Sequence, residues 1–198
     1  MKLKFLILVF LQLAVCSLAE AREFGIFRQV AQHVERATAE STTVHHAGDI
    51  EVAFSPGAGA EQLVVKVIHT AKSSIRLAGY SFTSKLIAAA LVDAKRRGID
   101  VMVVLDKSQK TERYSGATFI ANAGIPVRID SNYAIFHHKF VIVDSDTVQQ
   151  GSFNYTTSAA ARNAENAMVV WHNPQLAAIF QRKWQGYWNE SQPYAARY

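Results

Sequence analysis

Residues 137–154 read HHKFVIVDSDTVQQGSFN, and the way this stretch is folded decides the rest of the chain. Successive side chains of a strand face opposite ways. His137, Lys139, Val141 and Val143 therefore share one face, while His138, Phe140 and Ile142 share the other. That places His137 and Lys139 to act together and leaves His138 as a packing or surface residue. Asp144-Ser145-Asp146-Thr147 is a good turn, so an antiparallel hairpin is expected. Beyond it, Gly151-Ser152-Phe153-Asn154 supplies a hydroxyl and an amide two residues apart, and Glu165 enters a further strand in RNAENAMVVW (162–171).

A histidine, a lysine, a serine, an asparagine and a carboxylate make a coherent set for phosphoryl transfer. The lysine neutralises phosphate charge, the polar pair binds phosphate oxygens, and the histidine serves as nucleophile or general acid–base. Rival chemistries fit less well. Ser152 lacks the Gly-x-Ser-x-Gly elbow of a serine hydrolase. Asp144 and Asp146 could hold magnesium, but they also suit the turn, and a fixed lysine charge makes a metal unnecessary. No metal site and no cofactor are expected.

Outward from the hairpin, strand and helix alternate. Ile50–Ser55 reads as a strand closed by Pro56-Gly57, and Leu63, Val64, Val67, Ile68 and Ala71 form one helical face. SIRLAGYSF (74–82) is a second strand, and Leu86, Ile87, Ala90, Leu91 and Ala94 make the next stripe, with Gly98 as its stop. IDVMVVLD (99–106) is a near-continuous apolar run, as expected of a strand covered on both faces. A helix around Ser115–Ala123, a strand at Ile125–Ile129 and a last helix from Pro174 to Trp188 follow. In that helix Phe180, Trp184 and Tyr187 or Trp188 form an aromatic stripe assigned to the core. The order predicts an α/β layered sandwich with a mixed, mostly parallel sheet and helices on both faces.

The first 21 residues, MKLKFLILVFLQLAVCSLAEA, read as a signal peptide: Lys2 and Lys4, an apolar core from Phe5 to Val15, and an Ala19-Glu20-Ala21 cleavage site. The apolar core is short for a membrane span. Cys16, the one cysteine, lies inside the signal segment, and Val15 departs from a lipoprotein box. Cleavage removes Lys2, Lys4 and Glu20 from totals of 21 basic and 16 acidic residues, leaving 19 and 15, a net of +4. That balance suits a polyanionic partner. Residues 22–48 read as a leader and linker, with Phe27, Val30, Val34 and Ala37 at helical spacing; His45 and His46 are assigned to solvated loop. Residues 49–198 are expected to form a single domain, since 198 residues at 49% hydrophobic content bury one core well.

The spacing His137-x-Lys139, four residues, Asp144, six residues, Gly151-Ser152-x-Asn154 resembles the HxK(x)4D(x)6GSxN signature of the phospholipase D superfamily. The resemblance extends to SSIRLAGYSFTS (73–84), AKRRGIDVMVVLD (94–106), IANAGIPVRIDSN (120–132) and NAENAMVVW (163–171). Over roughly residues 50–190 the chain is similar to the small, single-motif bacterial (Nuc-type) endonucleases of that superfamily. The resemblance implies that His137 forms a covalent phosphohistidine, that Lys139, Ser152 and Asn154 hold the phosphate, and that Glu165 orients the histidine. Asp144 and Gly151 are implied to be structural.

That chemistry needs two histidines, one attacking phosphorus and one protonating the departing oxygen. A chain with one motif is therefore expected to form a C2 homodimer with a shared active site. The signature fits nucleic acid, DNA or RNA, and phosphatidyl lipid alike; the charge and the endonuclease likeness favour nucleic acid. Lys107, Lys110 and Arg113, after the VMVVLD strand, are candidate contacts to flanking phosphates. A phospholipase D-type hydrolase is the alternative enzyme, and a non-catalytic nucleic-acid-binding protein the alternative outside catalysis. Export to a bacterial periplasm or the exterior is expected, without stable membrane association after cleavage.

Overall fold

The computed structural model describes residues 48–111 and 115–195. The signal segment with Cys16, nearly all of the leader, and Arg113 lie outside the described residues. The strands are β1 (Ile50–Ser55), β2 (Ser74–Gly79), β3 (Asp100–Asp106), β4 (Val127–Asp130), β5 (Lys139–Val143), β6 (Thr147–Gly151), β7 (Glu165–Val170) and β8 (Gln192–Pro193). The helices are α1 (Ala60–Thr70), α2 (Lys85–Arg96), α3 (Ala117–Asn122), α4 (Thr157–Ala161) and α5 (Pro174–Glu190). A 3-10 turn, Lys107–Lys110, follows β3.

All eight strands form one sheet in the order β1-β7-β6-β5-β2-β3-β4-β8. The α/β sandwich with a mixed sheet is as the sequence predicts, but the sheet is not mostly parallel. Two of its seven pairings, β2 with β3 and β3 with β4, are parallel and the other five are antiparallel. The reason lies in the connections. Helical crossovers return β3 and β4 parallel to β2, whereas the tight turn between β5 and β6 can join only antiparallel strands. β1 precedes a helix, as a parallel strand would, yet it pairs antiparallel with β7 at the far edge. The fully buried run Lys139–Val143 of β5 is covered on both faces without being parallel to either neighbour.

Two apolar layers sandwich the sheet. On one face Leu63, Val64, Val67 and Ile68 of α1 and Ile87 and Leu91 of α2 pack on Ile75, Leu77, Val101, Val103, Val141 and Val143. On the other, α5 brings Ala177 and Trp184 onto Ala78, Val104, Phe140, Ile142 and Val148. Trp184 is fully buried, and its indole Nε1 donates to the Leu77 oxygen at 2.9 Å. The aromatic stripe of α5 is therefore core, and Trp184→Ala is expected to cost roughly 3–5 kcal/mol.

Local chemistry sets the helix ends. Ser84 Oγ accepts from Ile87 N at 3.1 Å and caps α2, which stops at Gly98 with a φ of 87°. Asn173 accepts from Leu176 N at 2.9 Å, and Pro174 opens α5 with φ already set for a helix.

Candidate active site

Register brings the signature to one end of the sheet. Gly79 at the end of β2 pairs with Lys139 at the start of β5, Gly151 at the end of β6 with Ala167, and Ser55 with Glu165 at the start of β7. Gly151 has to be glycine, because a Cβ there would sit 2.3 Å from the Asn166 carbonyl oxygen. That close approach lets Phe153 N donate to the same oxygen at 3.1 Å, which fixes the Ser152–Asn154 loop against β7.

The two adjacent histidines occupy opposite environments, as strand alternation requires. His138 faces α5. Its ring centroid lies 5.0 Å from Phe136, 5.5 Å from Phe140 and 4.9 Å from Tyr187, and its Nε2 is 3.0 Å from the Tyr187 hydroxyl. Burial pushes its pKa below the usual histidine value, and the nearby Lys139 and His137 push the same way. His137 is exposed on the opposite face, with its ring meeting Tyr80 edge-on at 4.8 Å between centroids.

Lys139 lies beneath His137. It is only 8% exposed, its ammonium donates to the His137 carbonyl oxygen at 3.0 Å, and it stands 5.4 Å from the centre of the Tyr80 ring. Burial lowers its pKa, and the negative charge of Glu165 works in the other direction. Ser152 and Glu165 are directly joined: Ser152 Oγ donates to Glu165 Oε2 at 2.6 Å and accepts from Asn166 N at 3.1 Å. Asn163 Nδ2 donates to Glu165 Oε1 at 3.0 Å. Asn154 Oδ1 is buried with no hydrogen-bond partner among the described residues, an unmet acceptor inside the signature loop.

The resemblance implies that Glu165 orients the histidine; within one chain its oxygens accept from Ser152 and Asn163, and no hydrogen bond to His137 is formed among the described residues. Tyr80, which walls His137 and Lys139, and Asn163 were not anticipated. A signal for Tyr80 existed, because it follows the last residue of a parallel strand, where open α/β sheets place their sites. Asn163 carried none, since its role depends on how the segment between α4 and β7 turns.

Asp144 lies at the other end of β5. Its carboxylate accepts from the backbone nitrogens of Lys72, Ser73 and Ser74 at 2.8, 2.8 and 2.9 Å, and from Ser73 Oγ at 2.9 Å. Asp146, two residues on, accepts from Thr147 Oγ1 at 2.7 Å and contacts His172 Nδ1 at 3.1 Å. Both carboxylates are thus engaged at the hairpin turn, away from His137, which removes them as a magnesium pair for the site. Among the described residues no group of three or more His, Cys, Asp or Glu side chains is placed to hold a metal ion. Lys107 and Lys110 are exposed at the C-terminal end of β3, the end that carries the site, and Lys107 Nζ donates to the Tyr133 oxygen at 3.0 Å.

Comparison with known proteins agrees with this arrangement. The family model described as "Cardiolipin synthase, PLD-like domain" matches residues 64–188. A Rickettsia bellii protein named "Phospholipase D" is 36% identical over 135 residues, 68% of this chain and 67% of that protein. The mouse protein named "Mitochondrial cardiolipin hydrolase" is 30% identical over 130 residues, 66% of this chain and 58% of its own length. The crystal structure of a phospholipase D family member, Nuc from Salmonella typhimurium, superposes with a TM-score of 0.73 at 47% identity, covering 75% of this chain and 99% of that one.

Proposed function

The chain belongs to the phospholipase D superfamily of phosphodiesterases, and from that premise we propose that it is an exported, non-specific, metal-independent endonuclease. It works through a covalent phosphohistidine at His137 in a homodimer that shares one active site. The observation that carries this reading is the pairing of an exposed imidazole, His137, with an ammonium buried directly beneath it, Lys139. A buried charge with no carboxylate in its hydrogen bonds is costly to the fold, and an anionic substrate repays that cost.

The reaction then runs in two balanced steps. A ring nitrogen of His137 attacks phosphorus, an N–P bond forms as the P–O bond breaks, and the departing oxygen takes a proton from the partner's His137. Water next attacks the phosphohistidine, the N–P bond breaks, and the partner's His137 takes the proton back. Lys139 neutralises charge that builds on the phosphoryl oxygens, and Asn154 holds them through its amide N–H groups. Ser152 joins in by turning its one hydroxyl proton from Glu165, which holds it in the free protein, to the phosphate. The fixed ammonium does the electrostatic work that a divalent ion does elsewhere.

Nucleic acid is favoured over lipid by the endonuclease-like segments that flank the signature, by the +4 balance after cleavage, and by Lys107 and Lys110 at the site's end of the sheet. The names of the Rickettsia and mouse relatives favour a second reading, a phosphatidyl-lipid hydrolase. The test is cleavage of supercoiled plasmid in excess EDTA by the purified protein and by His137→Asn. Cutting by wild type alone is expected. A protein that leaves DNA and RNA intact while hydrolysing cardiolipin or phosphatidylcholine vesicles would sink the nuclease reading.

A further inference from the structure

A cleft opens beside the signature loop. It has a volume of about 760 Å³ and is walled by Thr83, Ser84, Lys85, Ser115, Phe119 and Thr157, among others. It lies on the catalytic end of the sheet, because α2 follows the end of β2 and Thr157 comes three residues after Asn154. The backbone nitrogens of Thr83 and Ser84 both donate to the Tyr155 oxygen, at 2.8 and 2.9 Å, so cleft and signature loop share one piece of backbone. The cleft also shares a face with His137 and Lys139, because α2, α3 and α4 cover the side to which Val141 and Val143 point.

Phe119 is one of several large apolar side chains that the fold leaves exposed, and it is the one that lines this cleft. On α3, Ala117 and Ile120 are fully buried in the core, whereas the phenyl ring of Phe119 is 55% exposed at the cleft wall. Lys85, the exposed first residue of α2, stands at the same cleft, with the hydroxyl residues Thr83, Ser115 and Thr157. The walls are largely apolar, with Ala88 and Gly116 beside Phe119, but hydroxyls and the Lys85 ammonium interrupt them, whereas an acyl chain favours an uninterrupted channel. A nucleotide matches them: an aromatic face for a base, polar groups for its edge, and a cation for the phosphate.

Resting on the nuclease reading above, we infer that this cleft is a nucleotide subsite, in which a base flanking the scissile phosphate stacks on Phe119 while Lys85 meets a neighbouring backbone phosphate. The enzyme therefore engages unpaired bases, since a base held in a duplex cannot lie on the ring. Single strands, frayed ends and loops are its preferred substrates, without base-specific readout.

The experiment compares kcat/KM on a single-stranded oligothymidylate with that on its abasic counterpart, which has the same backbone and no bases. Wild type is expected to prefer the base-bearing strand by roughly 10- to 100-fold, the range of one stacked base. Phe119→Ala should lose that preference through KM, and Phe119→Trp should keep it. Lys85→Ala should weaken binding to both strands and shallow the salt dependence by about one phosphate contact. Equal rates of wild type on the two strands, or a preference that survives in Phe119→Ala, would overturn the subsite while leaving the nuclease intact. Failure to cleave either strand together with vesicle hydrolysis that falls in Phe119→Ala would overturn both and give the cleft to lipid.

Discussion

The ammonium of Lys139 donates to the carbonyl oxygen of His137, the residue that carries the exposed imidazole, at 3.0 Å. One side chain thus holds the backbone of His137, the proposed nucleophile, and supplies the positive charge beside it. Burial lowers the lysine pKa, so just below the usual lysine range the unfolded chain binds more protons than the folded one. Stability therefore rises with pH there, and at neutral pH the buried charge is a cost carried for function. Lys139→Met is expected to cut turnover by about 10²- to 10³-fold without lowering the melting temperature. A melting temperature that falls with activity would make Lys139 a structural residue.

The same ammonium sets the alkaline side of the pH–rate profile. Turnover needs it protonated, so activity falls as pH rises through its pKa, which burial holds below the usual value of about 10.4. The charge of Glu165 opposes that shift. Removing the charge in Glu165→Gln should move the alkaline limb to still lower pH, besides weakening the hold on Ser152. An alkaline limb that stays in place in Glu165→Gln would show that another group sets it.

His137 and His138 should separate cleanly. His137→Asn is expected to abolish turnover and leave the melting temperature nearly unchanged, because the ring is exposed. His138→Phe should keep activity and alter the pH dependence of stability. Burial holds the folded pKa of His138 below the unfolded value of about 6.5. As pH falls through that value the unfolded state takes the proton first, and wild type loses stability; His138→Phe should show a shallower loss. Thermal melts at several pH values decide it, and equal slopes in the two proteins would contradict this account.

Asp144 fills the acidic position of the signature yet lies just past the far end of β5, so its contribution should be to folding alone. Burial raises its pKa, but donation from the backbone of Ser74, Ser73 and Lys72 and from the Ser73 hydroxyl outweighs that, and the net pKa is lowered. Its stabilisation is therefore present above the unfolded carboxylate value of about 3.9 and is lost as pH falls through the lower folded value. Asp144→Ala is expected to cost about 2–4 kcal/mol while kcat at low temperature holds. Loss of kcat in a protein still folded by circular dichroism would place the residue in the reaction.

What was legible in the sequence follows from what is local. Alternation along residues 137–143 separated His137 from His138 correctly, because a strand face depends only on parity. The four longer helices came from apolar spacing and from Gly98 and Pro174, which act on their own neighbours, whereas the five-residue α4 carried too short a pattern to be read. Sheet direction was not local: nothing in Ile50–Ser55 announces that it pairs with β7 rather than lying beside β2. The partners of Glu165 were hidden for the same reason, since Ser152 and Asn163 reach it through loop geometry that no spacing rule encodes.

The last expectation concerns the second histidine that the two-step reaction needs. Among the described residues the other histidines are His69, His138 and His172. His69 ends α1 and His172 follows β7, both at the opposite end of the sheet from His137, and His138 faces α5. None of these three is placed to protonate a group leaving from a phosphate on His137, and the homodimer proposed above would supply the partner's His137 across a two-fold axis. Mixing wild type with excess His137→Asn should then drive activity per wild-type subunit towards zero, since each heterodimer holds one histidine where two are required. Equilibrium sedimentation should show a dimer at assay concentrations, and dilution below its dissociation constant should lower specific activity. If activity per wild-type subunit stays constant on mixing, each subunit works alone and the shared site is wrong.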